Sequence, residues 1–349
     1  MVIESIRNFL SGRYSVQEYP ALQYQFERWN QEKPLTGKKI LDGTPVFANT
    51  MLKYINLLAA GAELTVGYSD SIPYDPTVIE FLQSIGVDCC YNCTDVERFD
   101  VILDCNGVYR DLRPRYGFTE LTRSGSYRFA GRSDAVVNVD DSRIKAIETC
   151  LGTGEGFLRA MNHLNYQVAG KKIVVLGCGK VGRGVVFYAG RAGARVTGVD
   201  DPELVKNLVG GDLVSRFERA QVLQLLLDAD IVVTATGQAL ALADDDFINI
   251  ITTSSKLVVN MGVEDEFGPA VPAERVLNSK QPLNFILDEP TLLRYIDPTM
   301  ALHSHGALEL IQSEYKGGLR RPDKAIHDEY WQIVEKNGLI AEELAAAGL

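Results

Sequence analysis

The sequence predicts an α/β protein of two parallel-sheet domains, the second inserted in the first. Three observations predict it. Residues 38–140 alternate strand-like and helix-like runs. A strand-like run at 171–177 leads through a glycine turn into a helix. Further apolar strand-like runs follow that turn, and a helical tail from about residue 300 is free to return to the first domain.

In the first stretch, a helix-like segment 49–60 precedes the strand-like AELTVGY. The helix-like VIEFLQSIG then leads to FDVILDC, which ends at Cys105. Strand–helix alternation of this kind favours a parallel layer covered by helices. A helix-periodic segment over about 142–165, interrupted by Gly152 and Gly154, reads as the link between domains.

The sharpest local signal is KKIVVLG followed by G-C-G-K-V-G, with glycines at 177, 179 and 182. In a strand–turn–helix the first glycine permits the tight turn and the second admits a pyrophosphate close to the backbone. The third lets helix and strand pack closely. Lys180 and Val181 open the helix, whose N-terminal amides and dipole suit phosphate. ARVTGVD ends at Asp200, 18 residues beyond Gly182. A carboxylate there accepts two ribose hydroxyls and repels a 2′-phosphate, so the cofactor expected of this Rossmann domain is NAD rather than NADP.

ADIVVTATG and SKLVVNMG supply two more strands ending in small loops, Thr234-Ala235-Thr236-Gly237 and Asn260-Met261-Gly262. Loops at the carboxyl ends of parallel strands gather ligands. Ordinary turn chemistry is the alternative for Thr234, Thr236 and Asn260. LNFILDE at 283–289 reads as the last strand. The expected domains are therefore 1–150 plus 300–349 for substrate and 151–299 for the dinucleotide.

Composition narrows the function. The 349 residues are 46% hydrophobic and 23% charged, globular values that argue against disorder. Acidic side chains outnumber basic ones by 46 to 35, a net charge of -11 that disfavours nucleic-acid binding. MVIESIRNFL has no signal-peptide pattern, and no apolar run reaches membrane-helix length. The six cysteines are scattered, lack paired C-x-x-C spacings with downstream ligands, and read as reduced cytosolic thiols. A cytoplasmic homodimer or larger homo-oligomer acting on a small molecule, with no membrane partner, is expected.

Several residues are candidates for chemistry. Lys145 lies four residues after Asp141 at the opening of the linking helix. It can hold or deprotonate a secondary alcohol, or make an exposed helix salt bridge. His303 and His305 suit proton transfer, or a core or capping place; no third ligand suggests a metal, and none is expected. Asp104 and Glu120 can bind ribose or polyol hydroxyls, or cap turns. Arg110, Arg113, Arg115, Arg123, Arg128 and Arg132 fall within 23 residues and suit an anionic substrate, a solvated face or a subunit face.

With these residues in place, the chain resembles the adenosylhomocysteinases from about residue 40 to about 310. The resemblance rests on VNVDDSRIKAIETCLGTGEGF at 137–157, GCGKVGRG, VTATG, VVNMG and AGAEL at 60–64. It implies a substrate lobe, a Rossmann lobe and a cleft that closes on ligand. The family's NAD+ transiently oxidises a ribose 3′-hydroxyl, allowing thiol elimination and water addition. On this matching Lys145 falls on the lysine that handles the oxidised hydroxyl, Asp140 on the asparagine before it, and Asp200 on the acidic residue for the NAD ribose. His303 falls, with a two-residue gap, on the histidine of the family's G-H-P segment. Glu120, Thr122, Thr149 and His305 join the substrate set.

Departures mark the elimination half. Pro45 stands for a histidine, Val263 for the histidine of the cofactor loop, and Thr149 for the carboxylate one turn after Lys145. Cys150 replaces an asparagine, Leu121 one of two glutamates, and Cys105 the second of paired aspartates; the family's lysine-and-tyrosine tail is missing. The expectation is an NAD-dependent enzyme oxidising a secondary alcohol of a nucleoside-like or anionic molecule. Authentic S-adenosylhomocysteine hydrolysis and an inactive NAD-binding regulator are the alternatives.

Overall fold

A computed structural model describes residues 1–313 and 317–349. The chain forms two compact units, Met1–Lys145 with Leu293–Glu342, and Ala146–Leu292 with Glu343–Leu349.

The first unit is built on β1 (Lys39–Asp42), β2 (Glu63–Tyr68), β3 (Asp88–Tyr91), β4 (Val101–Asp104), β5 (Gly117–Glu120) and β6 (Ala135–Asn138). Its sheet runs β3-β2-β1-β4-β5-β6, with a seventh strand, Gly318–Arg320, outside β6; all pairs are parallel. Every residue of β4 and β5 is buried. That explains why VILD is a continuous apolar run up to its terminal aspartate: helices cover both faces of a parallel sheet. The chain builds outward from β1 to β3 and then crosses back to β4. The carboxyl ends of β1 and β4 therefore flank a topological switch point, where doubly wound sheets bind ligands.

Local signals set the covering helices. Asp75 caps Pro76–Ser84 by accepting from the Thr77 N–H, and proline at the first helical position costs no hydrogen bond. The helix Pro20–Glu32 has no cap of its own, and Asp297 supplies one from far along the chain. Its carboxylate accepts from the Ala21 and Leu22 N–H groups at 2.9 and 2.8 Å. Asp297 belongs to the 20-residue helix Leu293–Gln312, which lies among buried residues along most of its length.

The second unit holds β7 (Lys172–Leu176), β8 (Arg195–Asp200), β9 (Asp212–Ser215), β10 (Ile231–Thr234) and β11 (Leu257–Asn260). The order is β9-β8-β7-β10-β11, again all parallel, with its switch point between β7 and β10. The helical run over 143–163 passes through a π-helical stretch, Ile147–Gly152, into Thr153–His163. Gly152 and Gly154 do not interrupt it. A Cβ on Gly154 would lie 2.3 Å from the Gly184 carbonyl carbon, and one on Gly184 only 1.8 Å from the Cys150 oxygen. These glycines let the linking helix and Lys180–Arg191 touch backbone to backbone.

Two expectations are corrected. LNFILDE is a 3₁₀ turn, Leu283–Ile286, not a strand: Pro282 and Pro290 flank a run too short to pair, and Leu283 packs into the core instead. The tail beyond residue 300 is not wholly helical, because Gly318–Arg320 adds a strand to the first sheet.

Candidate functional site

In the second unit the glycine turn has the geometry its spacing predicts. Gly177 has φ +88°, and a Cβ there would press on the Ala235–Thr236 backbone at 2.7 Å. A Cβ on Gly182 would lie 1.8 Å from the Gly177 oxygen, so the helix start packs directly on the turn. A Cβ on Gly179 would meet no atom of the surrounding structure within 4 Å, so space is open at the glycine that must admit a pyrophosphate. Gly179 precedes the helix Lys180–Arg191 and has no side chain to cap its N-terminus, which begins at Lys180, Val181 and Gly182. Asp200 closes β8 and accepts from the Cys178 and Asp201 N–H groups at 2.6 and 2.7 Å, one on each oxygen. Each oxygen keeps a lone pair for a ribose hydroxyl. An open glycine at a helix N-terminus and a carboxylate with spare acceptors at the next strand end fit a dinucleotide.

In the loops after β10 and β11 the polar side chains hydrogen-bond within the second unit. Thr234 and Asn260 are fully buried. Asn260 accepts from the Thr234 hydroxyl and the Gly262 N–H and donates to the Glu264 and Lys280 carbonyls. Its side-chain groups fix the Met261–Gly262 turn. Thr236 donates its hydroxyl to Glu266, and the Thr236 and Gly237 N–H groups donate to the same carboxylate at 3.1 and 2.7 Å. Ala235 meets the glycine turn through its backbone. Glu266 is fully buried, which pushes its pKa up, and sequence reading missed it. One carboxylate among Glu264, Asp265 and Glu266 gives no local sign of reaching a loop 30 residues earlier.

The first unit gathers its polar groups at the carboxyl ends of β1, β4 and β5. Lys53, on the helix Met51–Ala59, is 1% exposed and pairs with Asp42 at 2.6 Å. It also lies 2.9 Å from His303 Nδ1. The Thr44 hydroxyl donates to Asp42 at 2.5 Å. His303 Nε2 is 2.7 Å from the Thr119 carbonyl, so the ring is neutral, donating through Nε2 and accepting at Nδ1 from Lys53. Burial and the Lys53 charge hold the His303 pKa well below its usual value, with Lys145 adding to the same effect. Burial also lowers Lys53, against the pull of Asp42.

Lys145 is 3% exposed, so the exposed salt bridge with Asp141 does not form; Asp141 pairs with Arg321 instead. Lys145, His303 and Asp104 thus share one region of the first unit, but His303 has both ring nitrogens engaged internally. Asp104 and Glu120 are register partners on β4 and β5, both fully buried. Asp104 accepts from the Cys105, Val108 and Tyr109 N–H groups. Glu120 accepts from Asn106, Gly107 and Thr122. Burial raises the pKa of both, and the Glu120 charge adds to the rise at Asp104. Together they staple the loop 105–109, whose Tyr109 ring lies against Gly43 at the switch point.

Thr122 caps Arg123–Phe129 through Gly125 and donates to Glu120. His305 lies roughly 200° round its helix from His303. Its ring packs between Trp29 and Tyr330, where burial lowers its pKa to about 4. That is the core place offered as its alternative. Asp140 and Thr149 are half-buried, Thr149 within the second unit. Three of the clustered arginines, 110, 128 and 132, donate to the carbonyls of Gly107, Asn106 and Arg110. Among the described residues, no group of three or more His, Cys, Asp or Glu forms a metal cluster, and no helix is long and apolar enough to cross a membrane.

No family model matches the chain. It is 29% identical over 266 residues to adenosylhomocysteinase of Thermotoga maritima, covering 66% of this chain and 64% of that protein. The corresponding protein of Thermoplasma acidophilum is 27% identical over 265 residues, covering 66% and 63%. An S-inosyl-L-homocysteine hydrolase of Methanosarcina mazei is 27% identical over 261 residues, covering 65% and 62%. The matches thus span less than two thirds of these relatives' own length. Among solved structures, a dipicolinate synthase chain of Bacillus halodurans superposes with a TM-score of 0.48 and 14% identity, over 80% of this chain and 99% of that one. A transhydrogenase from Sinorhizobium meliloti gives 0.44 and 14%, over 81% and 99%. Over about two thirds of its length, then, the chain is similar in sequence to adenosylhomocysteinases, at 27–29% identity.

Proposed function

We propose that the protein binds NAD on its second unit and oxidises a secondary alcohol of a nucleoside-like or anionic small molecule. The observation that carries the reading is the open Gly179 within the turn closed by Gly177 and Gly182, with Asp200 at the next strand end. The amides of the first turn of Lys180–Arg191 would donate to the pyrophosphate, and Asp200 would accept the ribose hydroxyls. Bound there, NAD supplies a hydride acceptor.

Lys145 would bind the substrate hydroxyl and take its proton. His303, whose Nδ1 accepts from Lys53, has a positioning part: it holds Lys53 on Asp42 and so fixes the strand ends. The similarity to adenosylhomocysteinases and to an S-inosyl-L-homocysteine hydrolase supports a nucleoside thioether as the first substrate to try.

The test loads the protein with NAD, adds S-adenosylhomocysteine and follows reduced-nicotinamide absorbance and thiol release. Lys145→Met should lower turnover by at least about 100-fold, the usual worth of a proton-transfer group, while NAD affinity persists. Unchanged turnover would remove Lys145 from the reaction. The internal engagement of Asp104, Glu120 and His303 favours one second reading, an NAD-binding protein without turnover. Tight NAD binding with no reduction across nucleosides, sugars and hydroxy acids would select it.

A further inference from the structure

Cys90 and Cys93 have C-x-x-C spacing at the end of β3, and among the described residues they join no group of three or more His, Cys, Asp or Glu that could hold a metal. Successive strand residues face opposite sides of a sheet. Accordingly Cys89 packs with the cluster around Ile40, Leu64 and Val66, while Cys90 packs with that around Leu41, Ile102 and Tyr109. Cys93 is a buried member of this second cluster. Between the two, Asn92 has φ +47° and its N–H donates to the Tyr68 carbonyl at 2.9 Å. This left-handed residue turns the chain at the strand end, and the Cys90 and Cys93 side chains pack into the same cluster on one face of the sheet. Cys89 is thereby excluded as a partner although it is adjacent in sequence.

We propose that Cys90 and Cys93 form a dithiol that closes to a disulfide by exchange with a low-molecular-weight disulfide. The thiolate of Cys90, the more exposed of the two, attacks one sulfur of the reagent and releases one thiol. Cys93 then attacks the mixed disulfide and releases the second. The two protein sulfurs are oxidised, the reagent disulfide is reduced to two thiols, and the protons from both cysteines pass to solvent and the released thiolates. The closed bond would pin the turn beside Tyr109, whose ring lies against Gly43 and whose hydroxyl lies against Gly67 at the ends of β1 and β2. Burial and the contact with Cys93 push the Cys90 pKa up to about 12, so the thiolate population is small and closure is slow at neutral pH.

The experiment equilibrates the intact protein with mixtures of oxidised and reduced glutathione, quenches with acid, alkylates, and maps peptides by mass. The expected result is that Cys90 and Cys93 lose alkylation together and their peptide loses two hydrogens, with Cys89 still alkylated. A Cys89→Ser variant should behave identically. Cys93→Ser should leave Cys90 as a glutathione adduct or a free thiol. Independent glutathione adducts on Cys90 and Cys93 in the unmodified protein, pairing through Cys89, or full alkylation of all three at every ratio would each overturn the proposal.

Discussion

Lys53 shows what single residues do in the first unit. Its ammonium is fully buried between the Asp42 carboxylate and the His303 ring, and removing one partner of such a pair typically costs about 3–5 kcal/mol because a buried charge is left uncompensated. Asp297 is a second buried ionisable group, held by two helix N–H donors. Burial overrides those donors and raises its pKa to about 7, against about 3.9 for an unperturbed aspartate. Between these values the folded protein keeps a proton that the unfolded chain has released. Stability from this group is therefore complete below about pH 4 and is lost as pH rises toward 7, by at most about 1.4 kcal/mol per pH unit. Asp297→Asn should flatten that fall, as read by urea unfolding at successive pH values from 4 to 8. An unchanged slope would assign the dependence to other groups. Neither residue was legible in the sequence: Lys53 reads as one more helix position, and its histidine partner lies 250 residues away.

At the scale of elements, the glycines separate folding from ligand binding. Gly184 lies where a Cβ would strike the Cys150 carbonyl, while Gly179 faces open space. Gly184→Ala should therefore force the linking helix away from Lys180–Arg191 and cost several kcal/mol, in the range of about 1–3 for overpacking or above it, since backbone rather than side chain must move. Gly179→Ala should leave the unfolding midpoint nearly unchanged and weaken NAD binding about tenfold or more, because the methyl group fills the space kept for the pyrophosphate. Calorimetry and a cofactor titration on the two variants would distinguish these effects; equal loss of stability in both would mean that the turn is only a packing device. The glycine turn was readable because its geometry is local: strand, turn, helix and Asp200 all fall within 30 residues. The internal partners of the loops after β10 and β11 were not readable, for the opposite reason. Thr234, Thr236 and Asn260 have the right composition for ligand contacts, while their internal partners include Glu266, 30 residues beyond Thr236, and the Lys280 carbonyl, 20 beyond Asn260. LNFILDE misled, its apolar residues serving a turn whose leucine enters the core.

For the molecule as a whole, two compact units with separate parallel sheets and separate cores mean that a ligand held by one unit stabilises that unit first. The cofactor-fitting residues, from Gly177 to Asp200, all belong to the second. A ligand that binds only the folded form adds free energy by mass action, about 2.7 kcal/mol at a concentration one hundred times its dissociation constant. NAD at that level should slow hydrogen exchange across 146–292, most strongly in β7, β8 and the first turn of Lys180–Arg191, and should leave the core of 1–145 near its free rate. NADP should protect far less, because its 2′-phosphate would approach the Asp200 carboxylate, whose oxygens already hold the Cys178 and Asp201 amides and present only negative charge outward. Equal protection by both cofactors would sink the assignment of Asp200 to the ribose. Protection confined to 1–145 would move the dinucleotide to the switch point between β1 and β4, where Tyr109 now lies against Gly43.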